Sequence, residues 1–212
     1  MIVALSILNI PSADRNSKIN EFMQVKNNWI HFDVMDGEFV ENKTFKYEVV
    51  KEVGAYCNFF KDVHLMTYNP QEFLKEYRGS GTDQITFHYE SIEEKEILSL
   101  IEMVKSLNMK VGISIKPSTD VTKIERYLSL IDLVLVMSVE PGRGGQKFMV
   151  ESLDKIKWLS NHKENNHYLI SVDGGINNET SKLVKEAGAD VIVVGTYLTK
   201  DIITSEKIED LM

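Results

Sequence analysis

A histidine and an aspartate two residues apart, His31 and Asp33, stand in the otherwise apolar run WIHFDVM (29–35). In a strand successive side chains face opposite sides, so His31, Asp33 and Met35 share one face while Ile30, Phe32 and Val34 take the other. The same parity in FFKDVHLM (59–66) pairs His64 with Met66. In DQITFHY (83–89) it pairs Thr86 with His88, and in HYLISVD (167–173) Ser171 with Asp173. Ser6, from IVALSIL (2–8), joins them if these strands surround one interior, where an uncompensated charge is costly. His31, Asp33, His64 and Asp173 then form a four-ligand set for one divalent transition metal per chain. The two nitrogens favour Zn²⁺ or Fe²⁺ over Mg²⁺, and Mn²⁺ or Co²⁺ is compatible. The competing reading is a buried hydrogen-bonded network of the same groups with no metal. His88 points inward one strand further round with no acidic neighbour at its spacing, and is read as a structural histidine behind the ligands rather than a ligand. His162 and His167 fall at a polar helix end and at the base of strand seven, the wrong end of the sheet for chemistry.

Three further apolar runs, KVGISI (110–115), DLVLVMSV (132–139) and DVIVVGT (190–196), bring the expected strands to eight. Amphipathic segments lie between them. In IEEKEILSLIEMVKSLN (92–108), Ile97, Ile101 and Val104 share a face with Leu100 and Leu107 beside it, as a helix lying on a sheet requires. Eight strand-then-helix repeats predict a single (β/α)8 barrel: a closed parallel sheet with right-handed crossovers and the helices outside. Gly54, Gly79, Gly81 and Gly188 are expected as C-terminal stops of helices. Gly37, Gly142, Gly144, Gly145, Gly174, Gly175 and Gly195 instead follow strands, and Pro11, Pro70, Pro117 and Pro141 also fall just past strand ends. The elaborated loops therefore lie on the rim at the C-terminal ends of the strands, where barrels of this kind build active sites.

The chain has 212 residues, 43% of them hydrophobic, which is enough for one sizeable core, and no linker-like stretch divides residues 1–212. A single barrel domain is expected. No apolar run approaches the roughly eighteen residues of a membrane span, and MIVALSILNI lacks the basic flank and cleavage site of a secretory signal, so a cytoplasmic protein without a membrane partner is expected. The single cysteine, Cys57, reads as a buried structural thiol. A formal charge of −8 argues against nucleic acid as a partner and requires any anionic ligand to be attracted locally.

The motifs HFDVMDGEFVEN, DVHLM, ITFHYE, VLVMSVEPGRGGQKF, VDGGIN, and AGAD followed by VVGT occur in the order and spacing of the ribulose-phosphate 3-epimerase family. The chain resembles that family over essentially its whole length. Six motifs in register on different loops are far more specific than a lone VDGG. The resemblance implies a metal-dependent isomerase that interconverts D-ribulose 5-phosphate and D-xylulose 5-phosphate through an enediolate, and a homo-oligomer is expected. It further implies that His31, Asp33, His64 and Asp173 hold the metal, that Asp33 and Asp173 double as acid and base, and that Ser6 and His64 touch substrate. Met35, Met66 and Met137, which parity allows to face inward, become on this resemblance a soft wall that excludes water; otherwise they are core filler.

A sugar phosphate needs a local handle on so acidic a chain. Gly174 and Gly175 after strand seven, with Gly195 and Thr196 after strand eight, lie where such barrels bind phosphate, although tight turns alone would also use glycine. The loop PGRGGQ, with Gly142, Arg143, Gly144 and Gly145, is expected to act as a lid over the substrate. The family more often has PGFGGQ, so Arg143 replaces an aromatic. Thr196 stands where serine is commoner, and Glu41 replaces a proline before Asn42. These departures keep a second substrate open, D-allulose 6-phosphate, whose 3-epimerases share the chemistry. A third possibility is a catalytically silent phosphosugar-binding barrel; intact Asp33 and Asp173 argue against it.

Overall fold

In the computed structural model, which describes residues 1–24, 28–163 and 167–212, eight parallel strands pair in chain order and close on themselves. They are β1 (Ile2–Ser6), β2 (Asn28–Met35), β3 (Phe60–Met66), β4 (Gln84–His88), β5 (Lys110–Ile115), β6 (Leu133–Met137), β7 (Leu169–Asp173) and β8 (Val191–Val194). The expected barrel is the one observed. Several strands are shorter than the apolar runs that announce them: β1 stops at Ser6, β6 at Met137 and β8 at Val194. Ile7 and Val139 beyond those ends are nonetheless buried. Hydrophobicity reports burial, which continues under the loops after the hydrogen-bond ladder has ended.

Outside the sheet lie α1 (Arg15–Met23), α2 (Tyr47–Tyr56), α3 (Leu74–Tyr77), α4 (Ile97–Ser106), α5 (Ser152–Asn161), α6 (Thr180–Ala187), α7 (Thr196–Thr199) and α8 (Ser205–Glu209). The crossover after β5 is a 3₁₀ helix, Val121–Leu130, and that after β3 is a 3₁₀ turn opened by Pro70 and followed by the single turn of α3. In α4 the buried residues are Ile97, Leu100, Ile101 and Val104, the face read from the sequence. Gly188 ends α6 in the left-handed region at φ 107°, as expected of a C-terminal stop. Gly54 does not stop a helix. It lies within α2, where an added Cβ would come within 3.3 Å of the Lys61 side chain and of the Ser80 carbonyl, so close packing favours the small residue.

Two layers of core result from strand alternation. One lies between sheet and helices and includes Leu5, Ile30, Phe32, Val63, Leu65 and Phe87. The other is the barrel interior, and it is divided. Its apolar part comes largely from β1, β6 and β8 through Ala4, Leu133, Leu135, Val191 and Val193. Its polar part comes from β2 to β5 through His31, Asp33, Asp62, His64, Gln84, Thr86, His88 and Ser114, all buried. Asp62 ties the polar part together: its Oδ1 accepts from Gln84 Nε2 at 2.9 Å and from Thr86 Oγ1 at 3.1 Å, and its Oδ2 lies 2.8 Å from His31 Nδ1.

Room for this network is left by Gly112 on β5. A Cβ there would lie 2.5 Å from Thr86 Oγ1 and 3.2 Å from Leu133 Cδ2. Gly112→Ala is therefore expected to destabilise the protein by about 1–3 kcal/mol through overpacking. Urea unfolding would check this, and an unchanged midpoint would mean that the interior yields without cost.

Candidate active site

β2 carries His31 and Asp33, and its register with β3 sets His31 beside Asp62 and Asp33 beside His64. β7 brings Asp173 from across the barrel. One ligand atom from each of His31, Asp33, His64 and Asp173 lies within 4.8 Å of all the others. Asp33 Oδ1 is 3.3 Å from both His31 Nε2 and His64 Nδ1, and Asp173 Oδ2 is 3.9 Å from His31 Nε2. His31 Nε2 is buried and takes part in no hydrogen bond among the described residues, while its Nδ1 is engaged by Asp62. That engagement fixes the neutral ring's proton on Nδ1, so Nε2, which faces two carboxylates, is the atom that gives up its hydrogen to a metal. An orphaned imidazole nitrogen and two converging carboxylates suit a divalent cation, so the donor set fits a metal.

The charges of the groups themselves are strongly interdependent. Burial opposes ionisation of Asp33, but His31 and His64 beside it more than compensate and hold its pKa far below the usual carboxylate range. Asp173 is pushed up to about 7 by burial and then by the charge of Asp33. Burial also opposes a charged His31, yet Asp33 and Asp62 raise its pKa well above the ordinary value. His64 is lowered, chiefly by burial. The four residues are therefore not equivalent, and the two carboxylates are driven apart.

Behind His64 a second line of contacts runs away from the site. His64 Nε2 lies 2.9 Å from His88 Nε2, and His88 Nδ1 lies 3.1 Å from Glu90 Oε2. Glu90 Oε1 accepts from the Lys116 backbone N–H at 2.8 Å and from the Thr119 hydroxyl. Burial lowers His88 to about 4; Glu90, against the opposing effect of burial, is drawn down to about 2 by His88, Thr119 and the Lys116 amide. The expectation that His88 lacks an acidic neighbour is thus corrected. Glu90 sits in the 3₁₀ turn Tyr89–Ser91, where strand parity no longer applies, and the turn folds its carboxylate back onto the ring.

Above the four ligands opens a cavity of ≈ 280 Å³. Asp33 and Asp173 line it, whereas His31 and His64 are wholly buried. Met35, Met66 and Met137 line it too, so all three methionines expected to face inward do so. Ser6 reaches it and donates from Oγ to Asp33 Oδ2 at 2.9 Å. Gly142, Arg143, Gly144 and Gly145 form one side, and Gly174, Gly175, Gly195 and Thr196 another. A Cβ on Gly175 would run into the Phe148 backbone, so loops six and seven can approach only with glycine there. The loop after β6 is tied down: Asn42 Nδ2 donates to the Gly142 carbonyl at 2.6 Å, and Gln146 Nε2 donates to the Glu140 and Arg143 carbonyls at 2.7 and 2.8 Å.

Other residues at the site had not been expected from the sequence. Asp62 was legible by parity, two residues before His64 on the same face. Asn9, whose Nδ2 donates to Thr196 Oγ1 at 3.0 Å, and Lys200, which lines the cavity, are joined to the site only by the tertiary fold. Ser138 is another such residue; its Oγ donates to the carbonyls of Asp173 at 2.9 Å and Gly174 at 2.7 Å, fixing the end of β7.

A (β/α)8 barrel with two histidines and two aspartates beneath a glycine-rimmed cavity defines the class: a barrel enzyme with its chemistry at the C-terminal rim. The model of the ribulose-phosphate 3 epimerase family matches residues 2–199, and the chain belongs to this family of carbohydrate isomerases. It is 38% identical over 197 residues to the ribulose-phosphate 3-epimerase of Bacillus subtilis, covering 92% of this chain and 90% of that one. To its namesake from Chlamydia muridarum it is 34% identical over 205 residues, covering 94% and 89%. Among solved structures, 3-hexulose-6-phosphate synthase superposes with a TM-score of 0.73 at 16% identity, over 100% of this chain and 98% of that one, a likeness of fold. Among the described residues no helix is long and apolar enough to cross a membrane.

A cation held by all four ligands competes with the proton that Asp173 retains up to about pH 7 and with the one that His31 holds to higher pH. Apparent metal affinity is therefore expected to weaken as pH falls, through His31 first and more steeply below 7 where Asp173 is protonated as well, by roughly tenfold per pH unit for each proton displaced. Chelator competition at several pH values would check this, and an affinity independent of pH would refute it.

Proposed function

We propose that the protein is a metal-dependent ribulose-phosphate 3-epimerase acting on D-ribulose 5-phosphate and D-xylulose 5-phosphate. The observation that carries the reading is the pair Asp33 and Asp173, on strands β2 and β7 at one cavity, with affinities for protons driven in opposite directions by their surroundings. Inverting C3 beside a ketone requires a proton to leave one face and a proton to arrive at the other. Asp33, ionised, accepts the C3 proton of ribulose 5-phosphate. The C–H electron pair moves between C3 and C2, and the carbonyl oxygen takes the negative charge, giving the 2,3-enediolate. Asp173, whose surroundings raise its affinity for a proton, protonates C3 from the opposite face. The two exchange roles in the reverse direction. A divalent metal, Zn²⁺ or Fe²⁺ by the nitrogen content of the ligand set, would supply Lewis-acid stabilisation of the developing oxyanion.

Ser6, donating to Asp33 Oδ2, holds that carboxylate in place. The methionines keep water from the carbanionic carbon, and the loops carrying Gly174, Gly175, Gly195 and Thr196 take the phosphate. Arg143 steers the anion toward the cavity. Residues 1–212 act as one catalytic domain, and a cytoplasmic location is supported by a single cysteine, which has no internal partner to oxidise with.

Turnover of both candidate substrates on enzyme of defined metal content tests the reading. A higher kcat/KM for ribulose 5-phosphate than for D-allulose 6-phosphate is expected, and the opposite order would move the assignment to the six-carbon sugar. In D₂O the product should carry deuterium at C3, because the proton delivered is not the proton removed. Asp173→Asn with metal retained should exchange the C3 hydrogen of ribulose 5-phosphate with solvent faster than it forms xylulose 5-phosphate. Substrate hydrogen retained at C3 by the wild type would sink the two-aspartate mechanism. Arg143→Phe should flatten the salt dependence of kcat/KM, and an unchanged dependence would make the arginine a bystander.

A further inference from the structure

The line from His64 through His88 to Glu90 contains its own proton inventory. A backbone N–H can only donate, so the contact of Lys116 N with Glu90 Oε1 makes that oxygen an acceptor, and the Thr119 hydroxyl adds a second donor to it. The two donors on Oε1 and the low pKa of Glu90 make it a carboxylate, so Oε2 also accepts. Its partner at 3.1 Å, His88 Nδ1, must carry hydrogen. The neutral His88 ring then has a bare lone pair on Nε2. That atom faces His64 Nε2 at 2.9 Å, and two lone pairs at this distance would repel, so the hydrogen between them belongs to His64. His64 Nδ1 faces Asp33 Oδ1, 3.3 Å away, and is the position where a metal would take the place of the hydrogen that this contact holds in its absence.

We propose that His88 and Glu90 are positioning residues, which relay the direction of the Lys116 and Thr119 hydrogen bonds through two rings and fix His64 as the tautomer whose Nδ1 can bind a metal. His88 is not itself a ligand, because its Nε2 lone pair is spent on His64. Asp62 acts on His31 with one fewer ring between, so each ligand histidine has its own carboxylate behind it: Asp62 directly, Glu90 at one remove. The relay rests on the proposed metal centre for its purpose, and the direction of its hydrogen bonds on the ionised Glu90.

Glu90→Gln reverses the relay. The amide oxygen must stay with the Lys116 N–H, so the NH₂ group turns to His88 Nδ1. His88 then carries hydrogen on Nε2, His64 must accept there, and the hydrogen of His64 moves to Nδ1, the ligating atom. Zn²⁺ affinity, read by chelator competition at constant pH, is expected to fall about 10- to 100-fold. In ¹⁵N spectra of the metal-free protein, His88 should switch from the Nδ1–H to the Nε2–H tautomer. His88→Gln breaks the link, because its amide can turn its oxygen toward His64 whatever occupies position 90. In that background Glu90→Gln should change Zn²⁺ affinity less than threefold.

Wild-type Zn²⁺ affinity in Glu90→Gln, or a wild-type His88 found as the Nε2–H tautomer, would overturn the proposal. The second measurement needs no variant to fold. A wild type that binds no Zn²⁺ would overturn the metal centre instead, and the tautomer in the metal-free protein would still decide the relay.

Discussion

Two carboxylates and two imidazoles brought within a few ångströms inside a closed barrel set the terms for the rest of this structure. Desolvation alone would make each of them neutral. The fold does not allow that, because Asp33 lies against two imidazoles and Asp62 against one of them. Charge is retained at the centre, and each polar group behind it serves to balance or orient that charge. Gln84 and Thr86 occupy Asp62; Thr119 and the Lys116 amide occupy Glu90. The polar half of the interior is best understood as this requirement extended outward by one hydrogen bond at a time.

The apolar half meets a different need. Leu133, Leu135, Val191 and Val193 close the barrel opposite the network without offering a donor or acceptor that could compete for the carboxylates. The methionines at the cavity continue the same surface to the rim, where the glycine-containing loops begin. A charged floor, a water-poor wall and a backbone-lined mouth thus follow one another along the barrel axis, in the order in which a small anion with a reactive carbon would need them.

Parity in β2, β3 and β7 was enough to place His31, Asp33, His64 and Asp173 on one interior, since side-chain alternation in a barrel strand is rigid. The same rule held for Thr86, and it reached Asp62, whose role became visible only with its hydrogen bonds. It failed at Glu90 because the chain leaves the strand at His88 and turns, so that a two-residue spacing produces contact instead of a shared face. Strand ends were overextended where Ile7 and Val139 stay buried beyond the ladder. Asn9 and Thr196 meet across 187 positions, and no local pattern announces such a meeting. Gly54 misled because smallness and conformational freedom are two uses of one residue.

Of the four groups at the centre, His31, Asp33 and His64 come from two adjacent strands near the start of the chain, and Asp173 alone comes from the seventh. An ion bound by all four would fasten the last quarter of the chain to the first third, across a seam that the sheet otherwise closes with strands only four and five residues long, β8 and β1. Its binding energy would count fully only in the closed barrel, so supply of the ion would set how often that seam opens. Scarcity of metal would then be felt twice: as idle enzyme, and as faster loss of the chain to proteases that cut open forms.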